Sequence, residues 1–171
     1  MLDIVGFSPV AFDDAKILIL GSMPGVKSLN VKQYYAHAQN SFWDIMGTLF
    51  AISRDDTYEK RLTVLCENKI ALWDVMKACR RQGSLDADIE ANSIVANDFI
   101  AFLHKHTNIT HVYFNGAKAE QAYAKHVLNT LSERFANIQY LRLPSTSPAH
   151  AAMSREQKLE QWKVIKECLG D

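Results

Sequence analysis

The chain of 171 residues has little with which to build a covalent or metal-held framework. Its three cysteines, Cys66, Cys79 and Cys168, are odd in number and widely spaced. That pattern suits reduced thiols and excludes a disulfide scaffold. No CxxC or HxxxH pair is present. His104 and His106 are close in sequence, but two residues apart on a helix they point away from each other, so no metal is expected. No apolar run approaches the ~20 residues that span a bilayer, and the opening MLDIVGFSPVAF has no basic segment. A cytoplasmic protein without a membrane anchor is therefore expected. Charge of one sign is missing too. Nineteen basic and nineteen acidic residues sum to zero, which argues against a broad basic face that coats nucleic acid and leaves room for a few local phosphate contacts.

What is present is ordinary globular composition, with 48% hydrophobic and 22% charged residues and no repeat, low-complexity tract or linker. Residues 1–171 read as one domain, large enough to bury about two-thirds of its unfolded surface, and a monomer is expected. Four short apolar runs predict strands: Lys16–Gly21, Ile70–Val75, His111–Asn115 and Tyr140–Leu143. Helical periodicity separates them. Phe42, Ile45, Met46 and Leu49 recur at i, i+3, i+4, i+7, and Val95, Phe99, Phe102 and Leu103 nearly so. Arg54–Asn68 predicts a further helix with Tyr58, Leu62 and Leu65 inward. Ala119, Ala122, Tyr123, Val127, Leu131 and Phe135 predict another, beginning after Gly116. The last helix opens on a capping box, Ser154-x-x-Gln157. Gln82–Ala91 reads as a long surface loop. Alternating strands and helices predict an α/β fold of three α/β/α layers around a central four-stranded parallel sheet, with Lys16–Gly21 as a central strand. Ligands of such sheets bind outside the carboxyl ends of the strands.

The stretch KILILGSMPGVKSLNVKQYYAHAQNSFW, residues 16–43, carries most information. A buried strand breaks at Gly21 into a loop with Pro24 and Gly25, followed by Tyr34, Tyr35, His37, Asn40, Phe42 and Trp43. So many aromatic and amide groups beside a strand end fit a flat ligand. A second loop, Pro144 to Ala151 (PSTSPAHA), would emerge at the same sheet edge. Neither loop is a triphosphate site: Gly21 and Gly25 are one residue too close for a Walker A motif, and Val26 separates Gly25 from Lys27. No G-x-S-x-G elbow surrounds Ser22 or Ser145, which weakens a serine-hydrolase reading.

G-S-M-P-G-x-x-S-L, then Y-A-H-x-x-N-x-F-W, then L-P-S-T-S-P-A resembles the uracil-DNA glycosylase superfamily, and within it the hypoxanthine-DNA glycosylase family. The resemblance spans nearly the whole chain and implies base excision from damaged DNA with no cofactor. Excision requires rotating a base out of the duplex into a pocket. The resemblance places Tyr35 where relatives stack an aromatic ring on that base, and Tyr34 as packing. Many superfamily members carry Asp or Asn where this chain has Met23, and several carry His where it has Leu143. The family is thought instead to use the Asn of Y-A-H-x-x-N, here Asn40, whose amide can orient water. The same residue also fits an N-cap for residues 42–50, and the two roles are compatible.

Around the base, the resemblance groups Gly21, Ser22 and Met23 with His37, Asp74 and Asn115. Asp74 stands where uracil-specific members read the base with Asn. As a carboxylate it can accept the N1–H of hypoxanthine; capping a turn or pairing with Lys77 are its other readings. His37 lines the pocket or bonds the loop backbone, and Asn115 supports the loops or a turn. Ser145, Thr146 and Ser147 are expected to grip DNA phosphates. Pro148, Ala149 and His150 fall where relatives wedge the vacated stack, with His150 a filler, a phosphate contact or a solvent-facing residue. No lysine sits in a motif where a Schiff base would form, so hydrolysis without strand cleavage is expected. The rivals are a uracil or G:U-mismatch glycosylase and a non-catalytic nucleic-acid-binding module.

Overall fold

The computed structural model describes residues 3–170. Its strands are β1 (Ile4–Val5), β2 (Ile17–Gly21), β3 (Ile70–Asp74), β4 (Met76–Cys79), β5 (Val95–Ala96), β6 (His111–Asn115) and β7 (Gln139–Leu143). Its helices are α1 (Val26–Val31), α2 (Phe42–Phe50), α3 (Tyr58–Glu67), α4 (Phe99–Lys105), α5 (Ala117–His126), α6 (Arg155–Trp162) and α7 (Val164–Cys168). The main sheet has the order β3-β2-β6-β7 and is parallel throughout. All four carboxyl ends therefore open on one edge, and β2 is central, as its uninterrupted Ile-Leu run predicts.

Side chains alternate across β2 and divide the interior in two. Leu18 and Leu20 join Trp73, Phe114, α4 and α5 on one face. Ile17 and Ile19 join Phe42, Trp43, Met46, Leu65, Trp162 and Ile165 from α2, α3, α6 and α7 on the other. The capping box at Ser154 is present, with both reciprocal hydrogen bonds.

Several elements differ from the expectation. The run from Ala119 leaves the α-helix after His126 and continues as 3-10 turns at Leu128–Thr130 and Glu133–Phe135. The Thr130 hydroxyl donates to the Val127 carbonyl at 2.6 Å, a local bond that competes with helix. Val95 is not helical. It pairs with Ala78 of β4, and Asp98 caps α4 by accepting the Ala101 N–H. Helix α3 likewise starts at Tyr58, capped by Thr57, rather than at Arg54. A small antiparallel sheet, order β1-β4-β5, was not expected. It begins one residue after β3: the Val75 and Met76 N–H groups donate to the Gly21 and Ser22 carbonyls at 2.8 and 3.1 Å. The stretch 82–91 is no free surface loop. It straps the first motif loop, as the site geometry shows.

Candidate nucleobase site

The floor of the site is the register pair Gly21–Asp74. A Cβ at Gly21 would lie 2.5 Å from Asp74 Oδ1 and 3.1 Å from the Tyr35 hydroxyl, so only glycine lets these two groups converge. Asp74 is 4% exposed and Oδ2 has no hydrogen-bond partner; the Tyr35 hydroxyl is also buried without one. Burial pushes the Asp74 carboxyl up to about 7, the nearby Asp86 carboxylate adding to the shift and Arg81 opposing it. Burial, then Asp74, holds the Tyr35 phenol far above its ordinary range. The Asn115 amide lies near that hydroxyl and opposes the shift.

Tyr35 has φ 56°. Lys32 and Ala51, which share that left-handed region, are helix C-caps, where such a conformation is common. Tyr35 is not, and the conformation costs about 1–3 kcal/mol in a residue with a Cβ. Its neighbours hold it there. The Tyr34 carbonyl accepts the Trp43 indole N–H at 3.0 Å, the Tyr34 hydroxyl donates to Ser8, and the Ala36 N–H donates to Ser28 Oγ. The Tyr35 ring stacks on Phe42 at 4.1 Å and 22° while the residue remains half-buried. Tyr34, by contrast, is core.

Asn40 is fixed through three bonds. Its N–H donates to the His37 carbonyl, its Oδ1 accepts the Phe42 N–H at 2.9 Å, and its carbonyl accepts from Arg54 at 2.7 Å. The capping geometry is thus real, placed one residue before the N-cap Ser41. It leaves Nδ2 without a protein partner among the described residues. His37 is exposed, and its Nδ1 accepts the Gln39 N–H. It shapes the turn rather than the pocket wall.

The two motif loops meet directly. The Ser41 N–H donates to the Thr146 carbonyl at 3.0 Å. Asn115 clasps Thr146 twice at 2.9 Å, accepting its N–H and donating to its hydroxyl. Thr146 is 1% exposed, so its side chain is committed to the scaffold and does not reach a phosphate. Asn115 is likewise first a support for this loop. Ser145 Oγ and Ser147 Oγ accept the Ser147 and Ala149 N–H groups, folding the loop so that Pro148 and Ala149 form an exposed tip with His150 half-buried behind it. Leu143 is core, and so is Met23, whose sulfur lies near Gly6. Met23 is therefore a packing group rather than an open pocket surface.

Sequence reasoning did not find the strap. Ser22 donates to Asp86 at 2.6 Å, the Val26 N–H donates to Ser84 Oγ, and the buried Arg81 guanidinium donates to the Gly83 carbonyl and, at 2.7 Å, to that of Pro24. Arg80, its neighbour, pairs with Glu90 and Asp3. These are long-range polar contacts with no periodicity to announce them. Among the described residues, no group of His, Cys, Asp or Glu could hold a metal ion, and no helix is long and apolar enough to cross a membrane.

A buried polar pair at the carboxyl edge of a parallel sheet, strapped by residues 82–91 and flanked by a strained tyrosine and a serine-rich loop, defines an α/β protein whose candidate site lies at one sheet edge. A family model described as the uracil DNA glycosylase superfamily matches residues 9–168, and the chain belongs to that superfamily. It is 41% identical over 115 residues to the hypoxanthine DNA glycosylase of Methanosarcina barkeri, covering 67% of this chain and 72% of the relative. It is 35% identical over 161 residues to that of Methanosarcina acetivorans, covering 94% and 96%. The solution NMR structure of a Methanosarcina acetivorans protein described as a candidate uracil DNA glycosylase superposes with a TM-score of 0.80 at 33% identity, over 99% of this chain and all of that one.

Proposed function

We propose that the chain is a single-domain, monomeric, cytoplasmic DNA glycosylase that removes hypoxanthine from deoxyinosine by hydrolysis and leaves an abasic site. The observation that carries this reading is the pair of buried, partnerless polar atoms, Asp74 Oδ2 and the Tyr35 hydroxyl, at a floor that only glycine permits. Buried polar atoms ordinarily find partners within the protein, so a pair left open implies a ligand that supplies them. Hypoxanthine offers an N1–H donor to Asp74 and a carbonyl acceptor to a hydroxyl. The Tyr35 ring, backed by Phe42, presents its other face for stacking, a contribution of about 1–3 kcal/mol per base.

Cleavage of the N-glycosidic bond builds positive charge on the sugar and negative charge on the base. Asn40, held by backbone bonds on both sides, positions the attacking water through its remaining amide capacity. Met23 and Leu143 lie in the cores, so neither position can supply the polar group that other superfamily members place there. The tip Pro148–Ala149 enters the vacated stack. Ser145 and Ser147, whose hydroxyls retain donor capacity, contact the backbone.

End-labelled duplexes containing inosine, uracil or xanthine, treated with alkali after incubation, test the substrate. Cutting at inosine is expected; cutting at uracil alone transfers the site to uracil, and cutting nowhere leaves a binding module. Asn40→Ala is expected to fold, to bind inosine duplex, and to lose ~10²–10³ in single-turnover excision. Near-normal excision would return Asn40 to a purely capping role.

A further inference from the structure

Lys158, on α6, stands outside everything assigned so far. It is 5% exposed, and its ammonium makes one hydrogen bond, to the Ser147 carbonyl at 3.2 Å. It forms no ion pair among the described residues. An ammonium has three donors, and a buried cation without a counter-charge is costly to keep. Beside it is a cavity of about 380 Å³ that Ser41, Asp44, Thr146, His150 and Arg155 also line. The amino end of α2 borders the same space, because Ser41 and Asp44 belong to its first turn and Ser41 supplies no side-chain cap. The single carboxylate on the wall, Asp44, is already held by Arg54 at 2.6 and 3.2 Å and by Arg155 at 3.4 Å. The balance of the cavity is positive by the charge of Lys158.

We propose that this cavity is a phosphate site, in which Lys158 and Arg155 hold the DNA phosphodiester that flanks the nucleotide rotated into the pocket. Its position supports that occupant. Ser41 follows Asn40 directly, and Thr146 stands two residues before the tip at Pro148, so an anion here lies between the group that acts on the sugar and the segment that enters the stack. Burial depresses the Lys158 ammonium in the free protein, and an anion beside it offsets that cost. The site also explains how a chain of zero net charge engages DNA: one desolvated cation at the reacting nucleotide replaces a broad basic face.

The inference rests on the glycosylase reading, and a test without excision separates the two. Duplexes carrying a tetrahydrofuran abasic analogue bind but cannot be cleaved at a base. One phosphate at a time beside the analogue is replaced by a neutral methylphosphonate, and binding is measured for the wild type, Lys158→Gln and Lys158→Arg. Lys158→Gln should weaken binding to the unmodified duplex about tenfold and lower the slope of log affinity against log salt by about 0.9, with Lys158→Arg restoring most of both. At one flanking position the methylphosphonate should weaken the wild type several-fold more than Lys158→Gln, which retains only the Arg155 contact there. Equal losses in both proteins at every position would overturn the proposal. So would an unchanged salt slope with a lowered melting temperature, which is what a brace for the Ser147 carbonyl alone would produce. Tight binding to the analogue without excision of inosine would sink the substrate reading and leave the phosphate site standing.

Discussion

Two polar pairs sit at the same sheet edge and are opposites. Asn115 and Thr146 satisfy each other with two bonds of 2.9 Å, inside a loop that Ser41 also grips. Asp74 and Tyr35 converge over Gly21 and leave Oδ2 and the hydroxyl with nothing. The first pair shows what buried polarity contributes when it builds a scaffold; the second shows what it costs when it is left unpaired. Buried polar atoms thus have opposite consequences for stability at the two pairs, and substitution can expose them.

The largest effect is expected at Asp74. The folded chain holds this proton to a higher pH than the unfolded chain does, so stability falls as pH rises from about 4 to about 7 and levels off above that. Asp74→Asn removes the penalty. Its urea-unfolding free energy should match the wild type near pH 4 and exceed it by up to about 4 kcal/mol at pH 8, while excision of inosine is lost. A variant less stable than wild type at pH 8 would show that the carboxylate has a partner and that the comparison is false. Asn115→Ala should act in the other direction. It leaves the Thr146 N–H and hydroxyl buried and bare, and chemical denaturation should register a loss of about 2–3 kcal/mol with little dependence on pH. The smallest change belongs to Tyr35→Phe. Deleting an unpaired buried hydroxyl should raise stability by about 1 kcal/mol while the stacking face survives. A fall in stability would mean that the hydroxyl is bonded in the free protein.

Met23 sharpens the point from the side of the fold. Converting it to Asn would place an amide at the first-loop position where many superfamily members carry a catalyst. Its side chain, however, belongs to the buried apolar cluster that includes Met76 and Trp73, so the new amide would be buried there and would destabilise the chain before it could act.

The parallel sheet was legible because Ile17–Leu20, Ile70–Leu72 and Val112–Phe114 are apolar runs too short for helices and bounded by glycine, aspartate or asparagine. The motif loops were legible through resemblance, and Ser154-x-x-Gln157 through capping chemistry. What escaped has one physical character. Arg81, Lys158 and Asp86 are charged residues whose partners are distant backbone carbonyls, a serine hydroxyl or a cavity, and charge in a sequence reads as surface. Thr146 escaped as well, since a hydroxyl in a serine-rich loop says nothing of the amide that has already claimed it. The small sheet escaped because β1 and β5 have two residues each, below any period.

Only Val75 separates the parallel sheet from the antiparallel one, and the amides of Val75 and Met76 end on the carbonyls of Gly21 and Ser22. Those two amides are therefore a clock for the pocket floor. Any motion that lifts the first loop from the strand carrying Asp74 must break their bonds, whereas motion of the exposed tip at Pro148–Ala149 need not. In hydrogen exchange, Val75 and Met76 should keep pace with the central strand at Leu18 and Ile19 if the floor opens only on global unfolding, and outrun it if the loop breathes alone. Bound DNA should slow them more than the central strand in the second case and by the same factor as the central strand in the first.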